Sequence, residues 1–135
     1  MRFMMIYKPA DRASAESGVP PTQEEMAKMG KLIDDMAKAG ALLATDGLKP
    51  SSKGVRVRLS GAKLTVTDGP FTEAKEVIAG FAIVRVSSKA EAVEWARRFL
   101  EVAGDGESEI REMHDSPAFP REEAPHQQAQ AAARR

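Results

Sequence analysis

The chain has 135 residues, 20 basic against 20 acidic side chains and no cysteine. That length suits one domain with a proper core; the missing cysteines exclude disulfides, thiolate catalysis and cysteine-ligated zinc, and fit a reducing compartment. A net charge of zero lacks the basic excess used on phosphate backbones, so no nucleic-acid partner is expected.

The opening MRFMMIYKPADR has neither the long apolar core nor the cleavage site of a secretory signal. No apolar run reaches the roughly 20 residues of a membrane span. The expectation is a cytoplasmic protein with no membrane partner. Within that opening, Arg2 to Lys8 is short, apolar and bounded by Pro9, which predicts a strand covered on both faces. The following PADRASAESGVPP gathers Pro, Ser, Gly and charge and predicts a surface loop.

TQEEMAKMGKLIDDMAKAG then predicts a helix. Thr22 and Glu25 have capping-box spacing. Met26, Met29, Ile33, Met36 and Ala37 make one apolar stripe, and Gly40 is the stop signal. ALLATDGL reads as a second strand running into a turn at Asp46-Gly47. In GVRVRLSGAKLTVTDG, Val55, Val57 and Leu59 alternate with Arg56, Arg58 and Ser60, and Leu64 and Val66 alternate with Lys63, Thr65 and Thr67. That pattern predicts a β-hairpin with one dry and one wet face.

VIAGFAIVRV predicts a central strand. SSKAEAVEWARRFLEVAG predicts a second helix, capped at Ser88 with Glu91 three residues on and burying Ala92, Val93, Trp95, Ala96, Phe99 and Leu100. ESEIREMHD, dense in charge, suits an edge strand. Residues 116–135 are rich in Pro, Gln and Ala and predict a flexible tail after a domain spanning 1–115.

Strand, helix, strand, hairpin, strand, helix, strand is the ferredoxin-like α+β order with an inserted hairpin. Two helices cover one face of such a sheet. A second copy related by a two-fold axis is the simplest cover for the other, so a homodimer is expected.

The run TDGPFTEAKEVIAGFAIVRV, together with MRFMMIYK, GALLATDGLKP and EAVEWARRF, resembles the YCII-related proteins of the DGPF type over residues 1–115. The resemblance implies a dimeric α/β barrel of two ferredoxin-like protomers. It implies no settled activity: some members lie beside extracytoplasmic-function sigma factors, others use a proposed His–Asp pair, and one branch is similar to ring-dechlorinating enzymes. The histidine of that pair belongs on the first helix, where the register here places Met29. His–Asp chemistry is therefore not carried over, and only Asp68 could answer to the acid.

Asp68, before Gly69-Pro70, has the composition of a turn, and its carboxylate is also the candidate general base for a cofactor-free proton transfer or elimination. Tyr7, Met29, Asp46, Phe71 and Glu73 are the candidate ligand-binding residues around an apolar cavity. Arg56 and Arg58 share one hairpin face and could clamp a carboxylate, although solvation is their simpler role. His114 and His126 are isolated, and no metal-binding, phosphate-loop or nucleophile-elbow motif occurs, so no metal or cofactor is expected. Two functions fit these residues: a small protein binding an aromatic or carboxylated metabolite, and a non-catalytic dimer docking a protein partner in sigma-factor regulation.

Overall fold

In the computed structural model, residues 1–71 and 77–114 are described. The elements run β1 (Arg2–Pro9), α1 (Arg12–Glu16), α2 (Gln23–Lys38), β2 (Leu42–Gly47), a single 3-10 turn (Ser51–Lys53), β3 (Val55–Ser60), β4 (Lys63–Asp68), β5 (Gly80–Arg85), α3 (Lys89–Ala103) and β6 (Gly106–Glu112). Four strands form one antiparallel sheet in the order β2-β5-β1-β6, and β3 pairs only with β4 in a separate ribbon. This is the expected ferredoxin-like α+β fold with an inserted hairpin.

Local sequence sets the helix ends. The Thr22 hydroxyl accepts from the Glu25 amide at 3.1 Å, and the Ser88 hydroxyl accepts from the Glu91 amide at 3.2 Å. Each satisfies a donor that the first helical turn leaves open. The Glu91 carboxylate reaches back to the Ser87 amide at 2.9 Å. At the other end of α2, Gly40 has φ +69, the left-handed conformation that a side chain disfavours.

Period-two alternation sorts the sheet residues between two faces. Phe3, Met5, Ala82 and Val84 point to the helices and pack with Leu32 and Met36 of α2 and Ala92 and Ala96 of α3. Phe3 and Val84 are fully buried. Small residues at 92 and 96 bring α3 close to the sheet, and Arg98 of α3 donates to Asp35 of α2 at 2.7 Å. Met4, Ile6, Phe81 and Ile83 point the other way, half-buried and outside that core.

Three expectations need correction. The buried stripe of α2 centres on Leu32 and Met36, while Met26 is 52% exposed and Ala37 is also exposed. Two neighbouring stripes satisfy the helical period there, and contact with the sheet selects between them. Val93 of α3 likewise faces solvent. The segment after β1 carries the short helix α1, capped by the Asp11 carboxylate accepting from the Ser14 amide at 3.0 Å.

The hairpin departs from expectation as well. Its alternation is as predicted, with Val57 opposite Val66 and Leu59 opposite Leu64. Yet every residue of β3 and β4 is exposed, on both faces. No other described element of the chain packs extensively on the ribbon.

Candidate functional site

β1 and β2 end, and β5 begins, at one end of the sheet, where Tyr7 and Gly47 both lie opposite Gly80. Three connections leave from that end: β1 to α2, β2 to β3, and β4 to β5. Antiparallel pairing thus gathers segments far apart in sequence. They enclose an open groove of about 270 Å³ lined by Arg12, Ala13, Glu16, Ser51, Pro70, Phe71 and Val77.

Ser51 joins these segments. Its amide and hydroxyl both donate to Glu16 Oε2, at 3.1 and 2.6 Å, and the same hydroxyl accepts from the Phe71 amide at 3.4 Å. The Gly69 amide donates to the Gly54 carbonyl at 3.0 Å, and the Gly69-Pro70 peptide is cis. A side chain at Gly69 would place its Cβ 1.8 Å from the Ser51 carbonyl oxygen, so only glycine fits. The Asp-Gly-Pro-Phe turn is therefore pressed against the 51–53 turn, which α1 holds through Glu16.

The groove is mostly apolar, from Ala13, Pro70, Phe71 and Val77. Arg56 of β3 stacks its guanidinium 4.0 Å from the Phe71 ring centroid, fixing the ring at the foot of the hairpin. Arg12 lies in the groove and forms no ion pair with a described residue. One oxygen of Glu16 is occupied by Ser51. A guanidinium beside an aromatic ring and an apolar floor is chemistry suited to a carboxylate carried on a flat apolar body.

Of the residues singled out in the sequence, Phe71 lines this groove. Asp68 ends β4 two residues before Pro70, exposed, with its side chain on the apolar face of the ribbon opposite Val55. Glu73 lies outside the described residues. Asp46 is exposed on β2 opposite Phe81, and Met29 is half-buried against the core between helices and sheet.

Tyr7 is engaged elsewhere. Its ring meets Phe99 edge-on, with centroids 5.2 Å apart. Its hydroxyl lies 3.2 Å from the Gly104 carbonyl oxygen and 3.4 and 3.5 Å from those of Asp105 and Ala103. Its nearest acceptor is thus the Gly104 carbonyl, just past the end of α3. Burial first, and then the Asp105 carboxylate, raise the phenol above its ordinary value.

Sequence reasoning missed Arg12, Glu16 and Ser51. The signal available for Glu16 and Arg12 was their four-residue spacing on one helical face, which the surrounding Pro, Ser and Gly obscured. Nothing local marks Ser51, whose role arises from contacts 20 and 35 residues away in the chain. Among the described residues, no group of three or more His, Asp or Glu side chains could hold a metal ion, and no helix is long and apolar enough to cross a membrane.

A family model described as the YCII-related domain matches residues 1–115. An uncharacterized protein of Rhizobium meliloti (strain 1021) is 37% identical over 60 residues, a match spanning 44% of this chain and 48%, about half, of that relative.

Proposed function

Because the chain belongs to the YCII-related family, we propose that residues 1–115 form a cytoplasmic metabolite-binding domain, followed by a tail at 116–135, and that its ligand is a small aromatic carboxylate. The observation that carries this reading is the groove itself: Phe71 and Pro70 for a flat ring, with Arg12, which forms no ion pair with a described residue, beside them for the carboxylate. Met4, Ile6, Phe81 and Ile83, on the sheet face that no described helix covers, support a homodimer with those faces together.

Any reaction on this scaffold is a cofactor-free proton transfer or elimination, with Asp68 as the base. Asp68 directly precedes the clamped turn and is exposed, which leaves its carboxylate accessible. Benzoate tests the binding reading. Arg12→Gln is expected to weaken it about tenfold, the loss of one charge-assisted hydrogen-bonded pair, while Arg58→Gln leaves it unchanged. Benzoate that moves no amide resonance of Arg12, Ser51 or Phe71 would sink the assignment. Asp68→Asn is expected to abolish turnover while retaining benzoate binding, and unaltered rates would remove Asp68 as the base.

A second reading has one observation in its favour, the exposed apolar ribbon. On it the dimer is a non-catalytic module docking a protein partner, in sigma-factor regulation or a similar setting. Partner capture that survives Arg12→Gln, with no benzoate-class ligand retained in native mass spectrometry, would favour it over the groove.

A further inference from the structure

Arg12 and Glu16 stand one turn apart on α1, and both line the groove. Opposite charges at that spacing on a helix ordinarily pair with each other. Here Arg12 forms no ion pair with a described residue. Glu16 turns to Ser51 instead, whose amide and hydroxyl both donate to its Oε2 at 3.1 and 2.6 Å. Its other oxygen, Oε1, accepts no hydrogen bond from a described residue. Arg at the first position of a helix and Glu at the last is also the order that helix electrostatics favours least, so α1 gains little from the two charges. They remain as one donor fork and one acceptor oxygen on the same groove wall.

A ligand with a carboxylate alone meets a conflict there. Bound at Arg12, it brings its negative charge within about one helical turn, roughly 5–6 Å, of the Glu16 carboxylate. Beside an apolar floor such like charges repel more strongly than in bulk water. An amine without a carboxylate has the converse conflict with Arg12. A ligand carrying both groups on neighbouring atoms has neither.

We propose that the groove takes an aromatic amino acid, with its ring against Phe71 and Pro70, its carboxylate on Arg12 and its ammonium donating to Glu16 Oε1. The proposal rests on the groove as the site of an aromatic carboxylate and adds a second, positive charge to that ligand. Size agrees. About 270 Å³ lies at the small end of small-molecule sites, which start near roughly 300 Å³, and suits one ring with a short polar head. Ser51 contributes by holding Glu16 through one oxygen only, which leaves the other for the ligand.

Three probes of one ring size test this on the full chain: phenylalanine, 3-phenylpropionate, which lacks the amine, and 2-phenylethylamine, which lacks the carboxylate. The amide resonances of Arg12, Ser51 and Phe71 report binding. Phenylalanine is expected to bind at least about tenfold more tightly than either of the others, the worth of one charge-assisted hydrogen bond. Binding of 3-phenylpropionate as tight as that of phenylalanine overturns the ammonium subsite and leaves the aromatic-carboxylate reading standing. No shift with any of the three overturns the groove reading and the subsite with it. These outcomes need no variant, so they hold whether or not substitutions at Glu16 fold. Glu16→Gln keeps a carbonyl oxygen for the Ser51 donors and removes the charge. It is expected to erase the advantage of phenylalanine over 3-phenylpropionate while leaving 3-phenylpropionate bound at least as tightly as before. Equal weakening of both probes would make Glu16 a brace for Ser51 alone and overturn the proposal.

Discussion

At the scale of single residues, the candidate site depends on one hydroxyl and one missing side chain. Ser51 Oγ donates to Glu16 and accepts from Phe71, so Ser51→Ala breaks the link between α1 and the Asp-Gly-Pro-Phe turn while its amide still reaches Glu16. A cost of about 1–2 kcal/mol is expected, the usual size for losing a hydrogen bond to a charged acceptor, read from the urea midpoint. Gly69→Ala should cost more, because its Cβ would enter the Ser51 carbonyl and that obstacle is backbone.

The single tyrosine reports on its own surroundings. Its neutral form is favoured in the folded state, so the stability this adds is complete below the phenol's ordinary pKa of about 10. It is lost as pH rises through the higher folded value. Phenolate absorbance in native protein is therefore expected at higher pH than in urea-unfolded chain, and coincident titrations would refute the burial argument.

Among elements, α2 contains one glycine and is followed by another, with opposite expectations. Gly30 is helical and exposed, and a methyl group there would meet nothing within 4 Å. Gly30→Ala should stabilise by about 0.5–1 kcal/mol, the difference in helix propensity. Gly40 has equal space but a positive φ, so Gly40→Ala should destabilise by about 1 kcal/mol. Thermal midpoints moving in opposite directions would confirm the pair. The contact of α2 with α3 has an acid limit: Arg98 holds the Asp35 carboxyl below its ordinary value by hydrogen bonding, with Lys31 assisting. That contribution is present above the ordinary carboxylate range and falls away as pH drops through the lowered value, so Asp35→Asn should flatten the acid side of the stability profile.

Elements were the most legible level of the sequence. Caps at Thr22 and Ser88 and alternation in β3 and β4 are written within a few residues of where they act. The side of α2 that turns inward was less so, since Met29 serves two overlapping stripes and only the sheet chooses Leu32. The groove was hardly legible. Arg12, Ser51 and Val77 belong to three separate connections, and no local rule shows that sheet pairing will gather them.

For the whole molecule, the two faces of the sheet pose different demands. The helices meet one with a closed core around Phe3 and Val84. The other, with Met4, Ile6, Phe81 and Ile83, is where dimerisation would act. Ile83→Glu places a charge in the middle of that face and is expected to yield folded monomer in light scattering, with α2 and α3 intact by circular dichroism. A dimer that tolerates this charge would move the two-fold interface elsewhere.

The seven described side chains around the groove come from connections, and none from the four strands or two long helices. Change of ligand and upkeep of the scaffold are thus assigned to different stretches of the chain. Related proteins could exchange residues 10–21 and 48–79 as cassettes, acquiring new chemistry while the framework beneath them stays as it is.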